Sequence, residues 1–318
     1  MRKILVTATN YSQLCANGKK ILESNGFEVI ENPLGRPMTL EERKPYLPEI
    51  EAAIVGPGTW DDEVYALAPN LKCIGRFGIG VDNLDLNAAK ARGITVFNAA
   101  GSNSKAVAEH AIALMFGLVR QLPQLNKSTR EGKWERLTFR EFSSLTIGFI
   151  GFGGIARLTA ERLAPFGSRL IAYDKFPNKE AAQERNVTLT SLEEVLRTSD
   201  IVSIHAPSLP DTFHMINREA LAMMKKTAYL VNTARGPLVD ELALYDTLVS
   251  GTLAGAGLDV YEQEPISPDN PLLSLDCVLC TPHSAAETLE TYHNVGTFTA
   301  ENVVAYFQGR TPENWLNP

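Results

Sequence analysis

Three side chains suited to anion binding and proton exchange each follow an apolar run of strand length. They are Arg235, Glu264 and His283. Arginine presents a planar fork of donors that matches a carboxylate. Histidine titrates close to neutrality, and a carboxylate against its second ring nitrogen would raise its pKa and fix its tautomer. Together these groups could hold a carboxylic acid and exchange a proton with it.

A glycine-rich turn is the second chemical signal. A predicted strand ending at Ile150 is followed by Gly151, Gly153 and Ala156, in the spacing Gly-x-Gly-x-x-Ala of a dinucleotide-binding turn. Gly151 permits a tight turn, Gly153 lets a pyrophosphate approach the backbone, and Ala156 lets the next helix pack closely. The N–H groups at the start of that helix would face the phosphates. A β-α-β unit without a cofactor is the alternative.

Asp174 indicates which dinucleotide would bind. It ends the next predicted strand, 23 residues after Gly151, where a carboxylate can accept hydrogen bonds from the adenosine ribose. The same carboxylate would repel a 2′-phosphate, so the sequence predicts NAD rather than NADP. The neighbouring Lys175 would soften that preference.

The elements that must position these residues form an α/β pattern. Ligands of such folds bind outside the carboxyl ends of the strands, where Arg235, Glu264 and His283 lie. Residues 104–286 therefore predict a doubly wound Rossmann-type cofactor domain. Its six predicted strands are Thr146–Ile150, 170–173, Ile201–Ile204, 228–231, Gly255–Leu258 and Val278–Cys280.

A smaller domain precedes it. Short strands alternate with helical stretches over the first hundred residues, which predicts a mainly parallel sheet with helices on both faces. Residues 285–307 form one long helical pattern that we expect to complete this first domain. The predicted second domain is thus residues 1–103 plus 287–318, a flavodoxin-like α/β substrate domain.

A long apolar helix is predicted over residues 104–120, with little polar face, so we expect it buried between domains or subunits. Pro123 should break or restart it. The polar stretch from Lys127 ends at Trp134, and a tryptophan on a polar arm suggests packing against another subunit. A homodimer is therefore expected.

Length and charge exclude several classes of protein. The 318 residues favour two domains, and the net charge of −7 argues against a nucleic-acid binder. No apolar run is long enough to cross a bilayer, so no membrane association is expected. The N-terminal residues 1–7 predict a first strand rather than a signal peptide. With four cysteines and no export signal, the sequence predicts reduced thiols and a cytoplasmic location.

Cys277, Cys280 and His283 superficially resemble a metal site. Residues three apart on a strand point to opposite faces, which is poor geometry for chelation. The sequence therefore predicts buried thiols and no metal.

A family resemblance joins these signals. The chain resembles the NAD-dependent D-isomer-specific 2-hydroxyacid dehydrogenases, especially the phosphoglycerate dehydrogenase branch. The matching segments are 75–83, 132–136, 151–156, 233–236, 258–260 with Glu264-Pro265, and 281–283. They span nearly the whole chain in the family's order.

The resemblance implies a role for each site residue. Arg235 would orient the substrate carboxylate, and His283 would exchange the proton with support from Glu264. The backbone turn Gly78-Ile79-Gly80 would grip the substrate carboxylate, and the 104–120 helix with the Trp134 arm would form a dimer interface. The cofactor contacts implied are Gly151, Gly153, Gly154, Ile155, Asp174, Ala206, Thr233, Ala234 and Asp259, the last near the nicotinamide amide.

Two positions depart from the family pattern. Gly154 stands where members often have arginine or lysine, which removes one phosphate contact. Gly56 stands where the phosphoglycerate branch commonly has an arginine, so a phosphorylated substrate loses a natural partner. The chain is also shorter than members with a regulatory amino-acid-binding domain, so we expect no feedback through such a domain.

The leading hypothesis is reversible hydride transfer between NAD(H) and a small D-2-hydroxy acid or its 2-oxo acid, including a 3-phosphoglycerate dehydrogenase-like reaction. A dinucleotide-sensing binding protein of the corepressor kind is the alternative. It would bind NADH tightly without reducing any 2-oxo acid.

Overall fold

Strands and helices alternate along almost the whole chain in a computed structural model that describes residues 1–318. The strands are β1 Arg2–Val6, β2 Phe27–Glu31, β3 Ala52–Val55, β4 Cys73–Arg76, β5 Thr95–Asn98, β6 Thr146–Ile150, β7 Arg169–Tyr173, β8 Thr188–Leu189, β9 Ile201–Ile204, β10 Tyr229–Asn232, β11 Gly255–Leu258 and β12 Val278–Cys280. The helices are α1 Tyr11–Leu14, α2 Ala16–Ser24, α3 Leu40–Arg43, α4 Asp62–Ala66, α5 Leu86–Ala91, α6 Ser104–Val119, α7 Leu122–Arg130, α8 Gly154–Leu163, α9 Lys179–Gln183, α10 Leu192–Thr198, α11 Arg218–Met223, α12 Glu241–Val249 and α13 Leu289–Phe307.

The chain divides into two compact units. Unit 1 comprises Met1–Asn103 and Glu287–Pro318, and unit 2 comprises Ser104–Ala286. Each unit has its own parallel sheet and its own buried apolar clusters.

Unit 1 contains five parallel strands in the order β2-β1-β3-β4-β5, which is the flavodoxin order. Helix α13 belongs to this unit: Ala300 and Val303 are fully buried in the same cluster as Ile54 and Phe97. The register pairs Val55 with Arg76, so β3 and β4 end side by side. The segments that follow these two strands are therefore neighbours.

Unit 2 contains seven parallel strands in the order β12-β11-β10-β9-β6-β7-β8. The order reverses between β6 and β9, where Ile150 pairs with Ile204. The glycine turn after β6 thus lies at a topological switch point, where open α/β sheets bind ligands. The predicted fold class, a doubly wound Rossmann-type sheet with a smaller flavodoxin-like α/β domain, is confirmed.

Two details differ from the sequence expectation. The sheet of unit 2 has a seventh strand, β8, because a two-residue edge strand is too short to produce a periodic pattern. Helix α6 packs into the core of unit 2 itself, where Leu114 and Leu118 lie against Gly257 of β11. A Cβ at Gly257 would lie 3.2 Å from both side chains, so this glycine allows the close approach.

Candidate active site

His283 and Glu264 form a hydrogen-bonded pair beyond the carboxyl ends of β11 and β12. The distance from His283 Nδ1 to Glu264 Oε2 is 2.7 Å, and the Tyr261 N–H donates to Glu264 Oε1 at 3.0 Å. The His283 side chain is 50% exposed, so its second nitrogen can reach a ligand. An ionised carboxylate only accepts hydrogen bonds, so Nδ1 carries the proton in this pair.

The charges around this pair favour a protonated histidine. The hydrogen bond to Glu264 raises the pKa of His283 above its ordinary value, although burial and the charge of Arg235 oppose the rise. Burial alone would raise the pKa of Glu264, but the hydrogen bonds from His283 and from the Tyr261 N–H outweigh burial and lower it. The pair therefore suits proton donation near neutral pH.

Asp259 holds the loop that carries His283. Its carboxylate is fully buried, and its two oxygens accept the Ser284 and Ala285 N–H groups, each at 2.9 Å. The Thr281 hydroxyl donates to the same carboxylate at 2.6 Å. These bonds fix a loop in which His283 has a φ of 52°, a left-handed conformation that is costly for a residue with a side chain. The structure thus gives Asp259 a loop-fixing role in addition to the predicted cofactor contact.

Arg235 lies in a tight turn after β10. The Asn232 side chain closes this turn by donating to the Arg235 carbonyl at 2.9 Å and accepting the Ala234 N–H at 3.0 Å. The next residue, Gly236, contacts the loop before Glu264, because a Cβ there would overlap the Tyr261 carbonyl. Arg235 is near enough for its charge to lower the pKa of both Glu264 and His283. The structure therefore brings the three predicted chemical residues together.

The glycine turn between β6 and α8 has two distinct kinds of glycine. Gly151 has a φ of 86°, and a Cβ there would lie 2.8 Å from the backbone of His205 and Ala206. This position needs glycine for the fold itself. At Gly153 and Gly154, a Cβ would meet no protein atom within 4 Å, so packing does not explain them and the turn can admit a ligand close to its backbone.

The N-terminus of α8 is suited to a phosphate. Its N-cap, Gly153, offers no side-chain cap, and its first turn has no acidic residue. In the same unit, α9, α10, α11 and α12 each have a side-chain cap, from Asn178, Ser191, Asn217 and Asp240. The first N–H groups of α8, including that of Ile155, have no intrahelical partner and can receive a pyrophosphate.

Asp174 is placed at the end of β7 beside this turn. Its Oδ2 accepts the Phe152 N–H at 2.6 Å, and its Oδ1 accepts the Phe176 N–H at 2.7 Å. A carboxylate has about four acceptor sites, so these bonds leave acceptor capacity for ribose hydroxyls. Lys175 forms an ion pair with Asp211, which places a negative charge beside the lysine.

The Thr233 hydroxyl is placed where it can form a hydrogen bond with a cofactor. Thr233 is 7% exposed, and its hydroxyl is buried without any hydrogen-bond partner. Buried hydroxyls almost always have a partner. Thr233 lies between β10 and Arg235, so a cofactor passing along this edge of the sheet would satisfy it. The residues of unit 2 therefore fit a dinucleotide.

In unit 1, the turn at Gly78–Gly80 has its carbonyl groups occupied. Arg76 donates to the carbonyls of Phe77 and Gly80, both at 2.8 Å, and Asn98 donates to the Ile79 carbonyl at 2.7 Å. The Ala99 N–H donates to the remaining one, that of Gly78, at 2.9 Å. The N–H groups of Ile79 and Gly80 donate to no protein acceptor. Consecutive free N–H groups form an anion-binding concavity.

Sequence reasoning missed some residues near these features. Arg157 donates from Nε to the Phe152 carbonyl at 2.9 Å, so a guanidinium lies at the glycine turn although Gly154 has none. Its spacing of three residues from Gly154 placed it on the same helix face, which was a usable signal. Arg76 bonds locally, to carbonyls one and four residues further along the chain, whereas Asn98 reaches the Ile79 carbonyl from 19 residues away, which leaves no local signal.

No cluster of three or more His, Cys, Asp or Glu side chains is arranged to hold a metal ion, and the four cysteines are unpaired. None of the helices combines the length and apolar character needed to span a membrane. Burial lowers the pKa of His205 to about 4, so this histidine, which is 2.9 Å from the Ser203 hydroxyl, is neutral.

Residues 112–285 match the family model described as the D-isomer specific 2-hydroxyacid dehydrogenase, NAD binding domain. This match covers more than half of the chain, including all the strands of unit 2.

Two curated relatives extend the similarity to most of the chain. A D-3-phosphoglycerate dehydrogenase of Archaeoglobus fulgidus is 44% identical over 93% of this chain, which corresponds to 56% of that relative's length. A glyoxylate reductase of Korarchaeum cryptofilum is 40% identical over 81% of this chain and 79% of its own length. The chain thus spans a little over half of the phosphoglycerate dehydrogenase that it matches.

The fold is also similar to that of a solved structure. The D-lactate dehydrogenase of Aquifex aeolicus, complexed with NAD and lactic acid, has a TM-score of 0.84 and 27% identity. The alignment covers 100% of this chain and 99% of that one.

Proposed function

The chain belongs to the D-isomer specific 2-hydroxyacid dehydrogenase family, and we propose that it transfers a hydride reversibly between NAD(H) and a small D-2-hydroxy acid or its 2-oxo acid. The observation that carries this proposal is the hydrogen bond between His283 and Glu264, next to Arg235 and in the same unit as the glycine turn. An acid–base pair, an anion-binding cation and a dinucleotide turn are the parts that the reaction needs.

His283 exchanges the proton. In reduction, its free Nε2–H gives a proton to the carbonyl oxygen of the 2-oxo acid as the hydride reaches the carbonyl carbon, and the product is the hydroxy acid. In oxidation, neutral His283 takes the hydroxyl proton. Glu264 fixes the tautomer and stabilises the protonated ring, as a carboxylate does for a catalytic histidine.

Arg235 binds the substrate carboxylate through its planar donor fork, and the pull on the neighbouring carbonyl favours hydride addition. In unit 1, the free N–H groups of Ile79 and Gly80, with the positive-φ Gly78 before them, are proposed as donors to a substrate carboxylate. These assignments are supported by the occupied carbonyls of that turn and by the position of Arg235 beside Glu264.

NAD is the proposed cofactor, and it supplies or accepts the hydride when bound. Gly151, Gly153, Gly154 and Ile155 would hold its pyrophosphate, and Asp174 its ribose. Thr233, Ala234 and Ala206 would line the path toward the nicotinamide, which the partnerless Thr233 hydroxyl supports. Asp259 is proposed to act near the carboxamide indirectly, because it fixes the loop that carries His283.

Unit 2 is thereby proposed as the NAD-binding domain and unit 1 as the substrate domain. A homodimer is proposed because Trp134 is 85% exposed on the arm that precedes β6, and an indole of this size is seldom left in water. The unpaired cysteines favour the cytoplasm as the location.

The substrate is proposed to be a small 2-oxo acid, of the glyoxylate, hydroxypyruvate or pyruvate size. No cation directly follows β3, where Gly56 stands. The nearby Arg43 is 4% exposed and donates both Nη groups to the Thr59 carbonyl at 3.1 Å, so it is committed to the loop.

A panel of 2-oxo acids with NADH, followed at the nicotinamide absorbance, tests this proposal. The panel includes 3-phosphohydroxypyruvate, glyoxylate, hydroxypyruvate and pyruvate. We expect turnover with at least one acid. The unphosphorylated acids should have a higher kcat/KM than 3-phosphohydroxypyruvate. Tight NADH binding without turnover of any acid would instead favour the sensing protein.

A further inference from the structure

Two glutamates outside the proposed catalytic set form a reciprocal pair. Glu241 is the first residue of α12, and Glu262 lies in the loop after β11. Glu262 Oε1 accepts the Glu241 N–H at 2.9 Å, and Glu241 Oε1 accepts the Glu262 N–H at 2.7 Å. Each side chain thus binds the backbone of the other residue.

A neighbouring side chain reinforces this Glu241–Glu262 pair. The Asn270 side chain donates to Glu241 Oε2 at 2.8 Å. Two adjacent carboxylates repel each other, so their closeness needs compensation. The N–H donors and the positive end of the α12 dipole supply it. Two solvated surface glutamates would not keep this geometry.

The pair joins the two segments that carry the proposed chemistry. Glu241 lies six residues after Arg235, and Glu262 lies two residues before Glu264. The same two segments touch at Gly236, where no Cβ fits against the Tyr261 carbonyl. The Tyr261 N–H in turn donates to Glu264 Oε1 at 3.0 Å. A shift of residues 261–262 would therefore move Glu264 relative to both Arg235 and His283.

We propose that Glu241 and Glu262 are positioning residues for the hydride-transfer site, and that their reciprocal pair holds Glu264 within hydrogen-bond distance of His283 and next to Arg235. This role rests on the proposed function. Neither glutamate contacts the reacting atoms. They act through the loop 259–264.

Three variants test the role. Glu241→Ala removes the acceptor for the Glu262 N–H, whereas Glu241→Gln keeps an oxygen at the same position. Glu219→Ala is the matched control, because Glu219 is also a first-turn acidic residue of a helix, α11, and has no bond to the site loops. We expect E241A to lower kcat by about 10- to 100-fold, the cost of a small misplacement of catalytic groups. E241Q should recover most of this loss, and E219A should behave as the wild type.

The His283 pKa gives a readout independent of turnover. In an NMR titration of the full chain, the pKa of His283 should fall in E241A, because Glu264 is no longer held against the ring, and return in E241Q. Thermal unfolding would check that E241A is folded. An E241A protein with a wild-type kcat and a wild-type His283 pKa would overturn the positioning role. A wild-type protein that reduces no 2-oxo acid would overturn the proposed function, while the titration would still decide the positioning role.

Discussion

At the scale of single residues, the proposed chemistry depends on how neighbours set the charge of His283. Glu264 raises the pKa of the ring and Arg235 opposes the rise. The sequence predicted this pairing, because all three residues follow strands that end at one edge of the sheet. It did not predict the hydrogen bonds by which Asp259 fixes the histidine loop, since Asp259 and Ala285 are 26 residues apart.

Glu264→Gln should move the pH profile to lower pH. In the proposed mechanism reduction needs protonated His283, so the rate of reduction is retained below the raised pKa and is lost as the pH rises through it. Without the carboxylate charge the pKa of His283 falls toward its ordinary value, and the alkaline limb of the reductive kcat moves down with it. Glu193→Gln, on the exposed side of α10, is the control. If the alkaline limb of the pH profile is at the same pH in E264Q as in wild type, Glu264 does not take part in the proton transfer.

Asp211→Asn should weaken the preference for NAD over NADP. Asp211 pairs with Lys175 beside Asp174, so its removal frees a cation for a 2′-phosphate. We expect NADPH to bind about two- to fivefold more tightly, the size of an exposed ion pair, with NADH affinity unchanged. Fluorescence titration of both cofactors measures this, and Asp269→Asn serves as the control. Equal NADPH affinities in D211N and wild type would show that Lys175 does not reach the ribose.

At the scale of elements, the site is built from strand ends and the turns that follow them. The glycine turn was predictable because its spacing and the adjacent strand are local features. The two-residue strand β8 was not predictable. The burial of α6 against β11 was not predictable either, because the periodicity of an apolar helix shows which face is buried but not which element covers it. The reciprocal Glu241–Glu262 contact likewise joins residues 21 apart.

The turn at Gly78–Gly80 offers a test at this scale. Asn98→Ala removes the donor to the Ile79 carbonyl and frees the turn to rotate its N–H groups away from a carboxylate. The loss of one such hydrogen bond predicts an increase in KM for the 2-oxo acid of up to about tenfold, with NADH affinity unchanged. Asn70→Ala, which loses a similar bond to the Pro48 carbonyl in the same unit, is the control. An unchanged KM in N98A would contradict the carboxylate role.

At the scale of the whole molecule, the two units have distinct proposed tasks, and the arm with the exposed Trp134 is proposed to contact a second copy of the chain. Light scattering should give twice the mass of the 34.8 kDa chain. Trp134→Ser should weaken the dimer, because burial of a tryptophan is among the largest apolar contributions to an interface. A monomeric wild type at micromolar concentration would contradict the proposed assembly.

The central claim is that His283 exchanges the proton in hydride transfer, and it is tested most directly by comparing His283→Ala with wild type. The measurement is kcat/KM for the best 2-oxo acid, together with the Kd for NADH, and His293→Ala on α13 is the control. We predict that H283A loses about 10²- to 10⁴-fold in kcat/KM, the contribution of a positioned general acid, while it binds NADH as wild type does. An H283A protein that retains wild-type kcat/KM would contradict the account.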